Sequence, residues 1–135
     1  MASTRPNSLG KSERLKSRKQ IDILFESGKK ITQFPFLLIF IKEAGRDGLK
    51  AGFTVSSKNF PRAVDRNRIK RLTREAYRVQ KKELEMFALR NECVLHLFFI
   101  YTGKEIASYQ EIFSRLKQLL DKLIIVVREN DRTNT

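Results

Sequence analysis

The amino-acid sequence predicts an α+β fold, a single small domain in which helices pack on one sheet. Three observations lead to this prediction. The chain has 135 residues and a hydrophobic fraction of 41%, which suits one domain with a core of its own. Two apolar runs, residues 34–41 and 93–101, have the length of buried strands. Three other segments repeat apolar residues at helical spacing.

The first half of the chain predicts a helix followed by strands. A short helix runs from Lys19 to about Ser27, and Gly28 lies where a helix C-cap is expected. Residues 31–42 predict a strand covered on both faces, with one side formed by Phe36, Leu38 and Phe40 and the other by Leu37, Ile39 and Ile41. Residues 49–56 predict a second strand, which we expect to pair with the first as a hairpin.

The second half predicts a helix, a strand and a closing helix. Pro61 suits the first turn of a helix that continues to about Glu85. Asn91 interrupts the pattern before the strand at residues 93–101. Residues 108–127 repeat leucine and isoleucine at helical spacing, with Ser108 as the N-cap. The resulting order is helix, strands, helix, strand, helix.

The composition divides the chain into three parts and indicates a cytoplasmic protein. Residues 1–18 predict a flexible basic arm, residues 19–127 the folded domain, and residues 128–135 a polar C-terminal tail. No apolar run approaches the roughly 20 residues that cross a bilayer, and the N-terminus lacks the apolar segment of a secretory signal. The single cysteine, Cys93, cannot form an intramolecular disulfide, so we expect a reducing cytoplasm and no membrane association.

The charge of the chain predicts a polyanionic partner. The formal net charge is +13, from 28 Lys and Arg against 15 Asp and Glu. Such a charge is shared by ribosomal proteins, DNA architectural proteins, RNA-processing subunits and membrane-surface binders. Residues 58–82 hold ten basic and two acidic residues, a net +8 in one segment. The partner is therefore expected to meet this segment.

The helix in this segment is predicted to have an apolar stripe and a basic row. At about 100° per residue, the stripe that faces the sheet consists of Ile69, Leu72, Ala76 and Val79. A solvated helix face normally mixes charges of both signs, whereas the row here contains only basic residues: Arg66, Lys70, Arg74 and Arg78. Because the guanidinium fork matches phosphate oxygens, the row predicts contact with a nucleic acid.

Residues 62–78, RAVDRNRIKRLTREAYR, resemble the signature of the bacterial ribonuclease P protein subunit. In that family the signature helix follows a Val-Ser-x-Lys strand end, which this chain has at residues 55–58. Arg14-Leu15, Phe25 with Gly28, the strand at Phe36, the segment at residues 52–56 and the closing helix occur in the family's order. The resemblance covers about 110 of the 135 residues.

The resemblance implies both a fold and a function. The implied fold has the order α-β-β-β-α-β-α, with a left-handed β-α-β crossover. The family's protein binds a large catalytic RNA, and the complex hydrolyses precursor tRNA to produce the mature 5′ end. The RNA carries out the chemistry with bound Mg²⁺ and no organic cofactor. The polypeptide is then a non-catalytic subunit whose partners are the catalytic RNA and precursor tRNA, with no obligate protein partner.

The resemblance also implies two groups of binding residues. The family's RNA contacts match the Arg-Asn-Arg motif and the basic positions after it: Arg66, Asn67, Arg68, Lys70, Arg71, Arg74 and Arg78. The family's cleft for the single-stranded 5′ leader matches a second group: Ile21, Phe25, Leu37, Ile39 and Lys58. In this interpretation Leu37 and Ile39 line a groove under the leader while the other side of their strand packs in the core.

Two other functions remain as alternatives. A general or ribosomal RNA-binding protein would share the charge but would not require an apolar cleft opposite an Arg-Asn-Arg helix. A protein-only nuclease would require clustered carboxylates or histidines. We interpret Asp22 and Glu26 as surface residues, His96 as structural, Cys93 as a small buried side chain and Phe60 as a packing residue. The sequence therefore predicts no catalytic residue and no metal ligand in the polypeptide.

Overall fold

A computed structural model of the protein describes residues 18–46 and 48–133. Of the predicted basic arm at residues 1–18, only Arg18 lies within these ranges, and the last two residues of the predicted tail lie outside them. The element order is α1 (Arg18–Ser27), β1 (Lys29–Gln33), β2 (Phe36–Ala44), β3 (Leu49–Val55), α2 (Ala63–Gln80), α3 (Lys82–Arg90), β4 (Cys93–Tyr101) and α4 (Tyr109–Thr133). This arrangement confirms the predicted α+β class, with one more helix than predicted.

The four strands form one mixed sheet in the order β1-β2-β4-β3. Strand β2 pairs antiparallel with both β1 and β4, and β3 runs parallel to β4. A parallel pair needs a crossover connection, which α2 and α3 supply between β3 and β4.

Two strand predictions are wrong. The strand at residues 31–42 is divided by a turn at Phe34 and Pro35, because proline has no N–H to give to a sheet ladder. The expected hairpin between β2 and β3 does not form, since β4 lies between them. Strand β4 is buried along almost its whole length and therefore takes a central position in the sheet.

The two faces of the sheet are covered differently. The main core lies on the face that carries Phe36, Leu38 and Phe40, where the strands pack against α2, α3 and α4. The opposite face packs against α1 through a small cluster of Leu24, Ile39 and Phe98. Because α1 is the only described helix in that cluster, part of this second face stays open.

Gly28 allows α1 to approach the sheet closely. Its N–H donates to the Leu24 carbonyl oxygen at 2.8 Å, which confirms the expected helix end. A Cβ atom at this position would lie 2.4 Å from that oxygen and 2.5 Å from Cγ2 of Ile39. The absence of a side chain therefore lets α1 turn directly into β1 while its last turn rests on β2.

The predicted helix from Pro61 to Glu85 is two helices. Helix α2 ends at Gln80, whose side-chain amide donates to the Phe113 carbonyl oxygen of α4 at 3.0 Å. Helix α3 starts at Lys82 and buries Leu84 and Ala88 in the main core. Since the bond between Gln80 and Phe113 joins residues 33 positions apart in sequence, the helical spacing alone did not reveal the break.

The closing helix is longer than predicted. The Ser108 hydroxyl accepts a hydrogen bond from the Glu111 N–H at 3.2 Å, as expected for an N-cap. Helix α4 continues past Val127 to Thr133, so most of the predicted tail is helical. No glycine or proline follows Val127 to end the helix. No helix in the described ranges is long and apolar enough to cross a membrane.

Candidate nucleic-acid interface

Helix α2 presents one buried side and one basic side. Its buried residues are Ile69, Thr73, Ala76 and Tyr77, whereas Val79 is 46% exposed. The prediction that Val79 faces the sheet is therefore wrong, and the buried side is rotated by about 60° around the helix. Thr73 can be buried because its hydroxyl donates to the Ile69 carbonyl oxygen at 2.8 Å.

The basic side of α2 carries the predicted RNA-binding residues. Asn67, Arg68, Arg71 and Arg74 are exposed, while Arg66, Lys70 and Arg78 are half-buried. Within the described part of the chain, the side chains of Arg68, Lys70 and Arg71 make no hydrogen bond or ion pair. Their charges are consequently available to a phosphate backbone.

The sequence pattern predicted a row of equivalent positive charges, but the members of the row differ in the structure. The Arg78 Nε donates to Glu75 Oε2 at 3.0 Å, and Nη2 donates to the other carboxylate oxygen. This hydrogen bonding lowers the pKa of the Glu75 carboxyl and raises the pKa of Arg78. The positive charge of Arg78 is thus partly compensated, in contrast to Arg68 and Arg71.

Arg74 connects the basic side of α2 to the sheet. Its guanidinium carbon lies 5.8 Å from the centroid of the Phe53 ring on β3. Phe53 in turn stacks on Phe99, with ring centroids 5.3 Å apart. The cation–π contact places the charged end of Arg74 beside the β3 edge of the sheet.

Arg66 contacts the loop that precedes its own helix. Its Nη1 atom donates to the Phe60 carbonyl oxygen at 2.9 Å and to the Pro61 carbonyl oxygen at 2.7 Å. Arg66 therefore differs from the other members of the Arg-Asn-Arg motif, because one side of its guanidinium is occupied inside the protein.

The predicted leader-cleft residues of α1 lie beside the open face of the sheet. Phe25 is 49% exposed, and its ring meets the Phe98 ring edge-on with centroids 5.5 Å apart. Ile21, one turn earlier, is half-buried against the same cluster. The two side chains form one wall above the sheet.

The predicted cleft residues of β2 occupy different depths. Leu37 is half-buried on the open face, whereas Ile39 is 1% exposed beneath α1. Ile39 thus supports the floor of the cleft from below and does not present its side chain to a ligand. Lys58 is exposed in the loop after β3, at the end of the sheet.

The structure adds residues that the sequence reasoning missed. The strand register places Ile100 of β4 beside Leu37, Phe98 beside Ile39, and Thr54 of β3 beside Ile100. Ile100 and Thr54 are half-buried and extend the open face from α1 toward β3. Alternation along β4 would have put Phe98 and Ile100 on one side, but nothing local indicated that β4 lies next to β2.

Among the residues that the structure describes, acidic residues and histidine do not gather into a metal-binding cluster. Over residues 18–46 and 48–133, no group of three His, Cys, Asp or Glu side chains could hold a metal ion. His96 Nε2 lies 3.2 Å from Glu43 Oε2 on the sheet. Phe60 is buried against Tyr101, which confirms its predicted packing role, and Cys93 is buried as predicted.

Comparisons with known proteins agree with the geometry. The family model described as Ribonuclease P matches residues 9–124. The ribonuclease P protein component of Chlorobaculum tepidum is 35% identical over 147 aligned residues, which cover 98% of this chain and 96% of the relative. That of Porphyromonas gingivalis is 30% identical and covers 85% of each chain.

Solved structures show the same fold. The RNase P protein from Thermotoga maritima superposes with a TM-score of 0.65 at 26% identity, over 82% of this chain and 96% of that one. The Staphylococcus aureus RNase P protein gives a TM-score of 0.63 at 20% identity, over 82% of this chain and 94% of that one.

Proposed function

The chain belongs to the ribonuclease P protein family, and we propose that its cleft between α1 and the open sheet face binds the 5′ leader of precursor tRNA. Family membership makes the chain the accessory protein subunit of an RNA-based endoribonuclease that removes tRNA 5′ leaders. It associates with the RNase P RNA. Nothing in the comparisons supports the alternative of a general or ribosomal RNA-binding protein.

The observation that carries the leader-binding proposal is the position of Phe25. Its half-exposed ring stands on the buried Phe98 ring, beside the half-buried side chains of Leu37 and Ile100. Single-stranded nucleic acids bind where aromatic and apolar surface meets the bases and cations meet the phosphates. The cleft supplies the aromatic and apolar surface for the bases, because α1 leaves part of the sheet uncovered.

The cations that would meet the phosphates lie at the β3 edge of the sheet. Arg74 lies beside the β3 edge through its contact with Phe53, and the exposed Lys58 follows the end of β3. We propose that the phosphates of the leader pass near this margin. Arg68 and Arg71, which are further round the helix and exposed, then face the catalytic RNA.

We further propose that the Mg²⁺ required for hydrolysis is held by the catalytic RNA and the substrate. The described residues contain no carboxylate or histidine cluster that fits a divalent ion. The polypeptide then contributes by binding and orienting RNA, and the cytoplasm is its expected compartment.

Reconstitution tests this function. The purified protein is added to its cognate catalytic RNA and a precursor tRNA at low Mg²⁺ concentration, and 5′ cleavage is followed on a gel. We expect strong stimulation over the RNA alone. Absence of stimulation would overturn the proposal, and cleavage by the protein without RNA would favour a protein-only nuclease.

The cleft assignment has a separate test. Leu37→Glu places a carboxylate on the open face, where it would repel the leader. Ile125→Glu is the matched control, because Ile125 is 52% exposed on α4, which packs on the other face of the sheet. We expect the Leu37 variant alone to lose affinity for leader-bearing tRNA while both keep affinity for mature tRNA. Equal losses with and without a leader would contradict the assignment.

A further inference from the structure

The loop between β3 and α2, residues 56–62, is fastened at several points. The Asn59 side-chain amide donates to the Thr102 and Gly103 carbonyl oxygens at the end of β4, both at 3.3 Å. The Phe60 N–H donates to the Ser56 carbonyl oxygen at 3.0 Å, and the Phe60 ring is buried against Tyr101. These contacts hold the loop in one conformation, although it belongs to no helix or strand.

Arg66 provides the attachment between this loop and α2. Helix α2 has Arg62 as its N-cap, and no side chain caps it there. From one turn inside the helix, Arg66 Nη1 reaches back to the carbonyl oxygens of Phe60 and Pro61, at 2.9 and 2.7 Å. A charged donor that serves two carbonyl oxygens forms stronger hydrogen bonds than a neutral donor does.

We propose that Arg66 is a positioning residue that fixes the loop and thereby places Lys58 at the leader cleft, and that it does not itself neutralise an RNA phosphate. This inference rests on the proposed function, since the partner of Lys58 is the leader. Lys58 is exposed and directly precedes Asn59, Phe60 and Pro61, through which the loop is attached. Loosening the attachment would let Lys58 move away from the end of β3.

Arg68 is the natural control. It belongs to the same Arg-Asn-Arg motif, is exposed, and its side chain makes no hydrogen bond or ion pair within the described ranges. A residue that neutralises a phosphate contributes to the salt dependence of binding, because counterions are released from the RNA. A residue that only positions the loop does not contribute in this way to binding of the catalytic RNA.

The first experiment measures the affinity of the protein for its catalytic RNA and, in the assembled enzyme, for leader-bearing tRNA as the salt concentration is varied. For Arg68→Gln, we expect the slope of log K against log salt to fall by about one for the catalytic RNA. For Arg66→Gln, we expect the slope for the catalytic RNA to stay at the wild-type value, and the slope for leader-bearing tRNA to fall no further than it does in Lys58→Gln. A fall of the catalytic-RNA slope for Arg66→Gln similar to that of Arg68→Gln would overturn the inference.

The second experiment measures how much the leader increases the affinity of the assembled enzyme for tRNA. We expect Arg66→Gln to reduce this increase about fivefold, Lys58→Gln to reduce it similarly, and the double variant to lose little more than Lys58→Gln alone. Additive losses, or no loss for Arg66→Gln, would overturn the inference. If the wild-type enzyme does not distinguish tRNAs with and without a leader, the proposed function fails instead.

A third variant tests the position of the loop without changing α2, in case Arg66→Gln disturbs the folding of that helix. Asn59→Ala removes the other attachment of the loop without touching α2 and keeps the charge of the chain. We expect it to reduce the leader-dependent affinity with no change in the salt slope for the catalytic RNA, as Arg66→Gln does. Full leader-dependent affinity in Asn59→Ala would show that the position of the loop does not matter.

Discussion

The Phe25 ring on α1 meets the Phe98 ring on β4 edge-on, with centroids 5.5 Å apart and planes inclined by 70°. The two residues have different exposures: Phe25 is 49% exposed and Phe98 is 8% exposed. One ring therefore faces the cleft while the other holds it in place from the sheet. This division predicts different consequences when each ring is removed.

Replacing Phe25 by alanine should weaken leader binding. Stacking of a base on an aromatic side chain contributes about 1–3 kcal/mol, so affinity for leader-bearing tRNA should fall by roughly fivefold to a hundredfold. Affinity for mature tRNA should not change. The measurement is fluorescence binding of both tRNAs to the assembled enzyme.

Ile23→Ala is the control for this change, since Ile23 lies on the same helix and is 47% exposed but is not in the small cluster under α1. The affinity for leader-bearing tRNA should stay at the wild-type value in Ile23→Ala. If the two variants lose equal affinity, α1 is being perturbed as a whole and Phe25 has no specific contact.

Replacing Phe98 by alanine should mainly destabilise the fold. Truncating a buried phenylalanine typically costs about 3–5 kcal/mol in the free energy of unfolding. Phe25→Ala should cost at most about 1.5 kcal/mol, the range of an aromatic pair, because half of its surface is already in water. Urea unfolding of both variants measures the difference, and similar costs would show that Phe98 is not the supporting residue.

Gly28→Ala should lower stability although the residue lies at a helix end. The new methyl group would lie within 2.5 Å of the Leu24 carbonyl oxygen and of the Ile39 side chain. Overpacking of this kind costs about 1–3 kcal/mol, because α1 must move away from β2. The same substitution at Gly48 provides a comparison in which no atom lies within 4 Å of the added methyl group.

Gly48 has a φ of 77°, so Gly48→Ala tests backbone strain without a steric clash. If Gly28→Ala leaves urea stability and leader affinity unchanged, α1 does not rest on β2 as closely as the structure indicates.

Arg68→Ala and Arg71→Ala should weaken assembly with the catalytic RNA. Each removes an exposed guanidinium from the basic side of α2, so each should also lower the salt dependence of assembly by about one phosphate contact. Arg115→Ala, which removes an exposed arginine from α4, should have no comparable effect. Filter binding across a salt series distinguishes these outcomes, and equal effects at Arg115 would indicate attraction by net charge alone.

Tyr101 should make stability depend on alkaline pH. Its hydroxyl donates to the Glu105 carbonyl oxygen at 2.6 Å and accepts from the Ala107 N–H at 3.1 Å. Burial of the side chain raises its pKa, so the folded protein keeps this proton at a pH where the unfolded chain loses it. The stabilisation is therefore complete below the unfolded pKa of about 10 and is lost as pH rises above it.

Urea unfolding between about pH 8 and pH 11 measures this effect. Tyr101→Phe should be less stable at pH 8, by about 1–2 kcal/mol for the lost hydrogen bonds, and its stability should fall less steeply above pH 10. Parallel curves for the two proteins would contradict the assignment to Tyr101.

Local features of the fold could be predicted from the sequence. Strand β4 has the predicted bounds Cys93–Tyr101, Ser108 caps α4, and Phe60 packs in the core. These features depend on apolar spacing and on hydrogen bonds between residues a few positions apart. The Arg-Asn-Arg helix and its family were recognised in the same way, from a continuous segment of the chain.

The cleft depended on contacts that no local pattern contains. The sequence showed that Leu37 and Ile39 share one side of a strand, but only packing decided that α1 buries Ile39 and leaves Leu37 accessible. In the same way, Val79 was predicted to be buried, and Tyr77 occupies the core instead through its contacts with Phe53 and Phe99. Periodicity identifies the two sides of an element but does not say which distant residue will cover each side.

By itself, the sequence determined the family, the α+β class and the concentration of charge on one helix, because each follows from residue types at short spacing. The tertiary structure decided that β4 lies between β2 and β3, that Phe98 supports Phe25, and that Arg66 bonds to its own loop while Arg68 stays exposed. The physical reason is that burial and hydrogen-bond geometry are properties of pairs of residues, and many of the decisive pairs here are far apart in the chain.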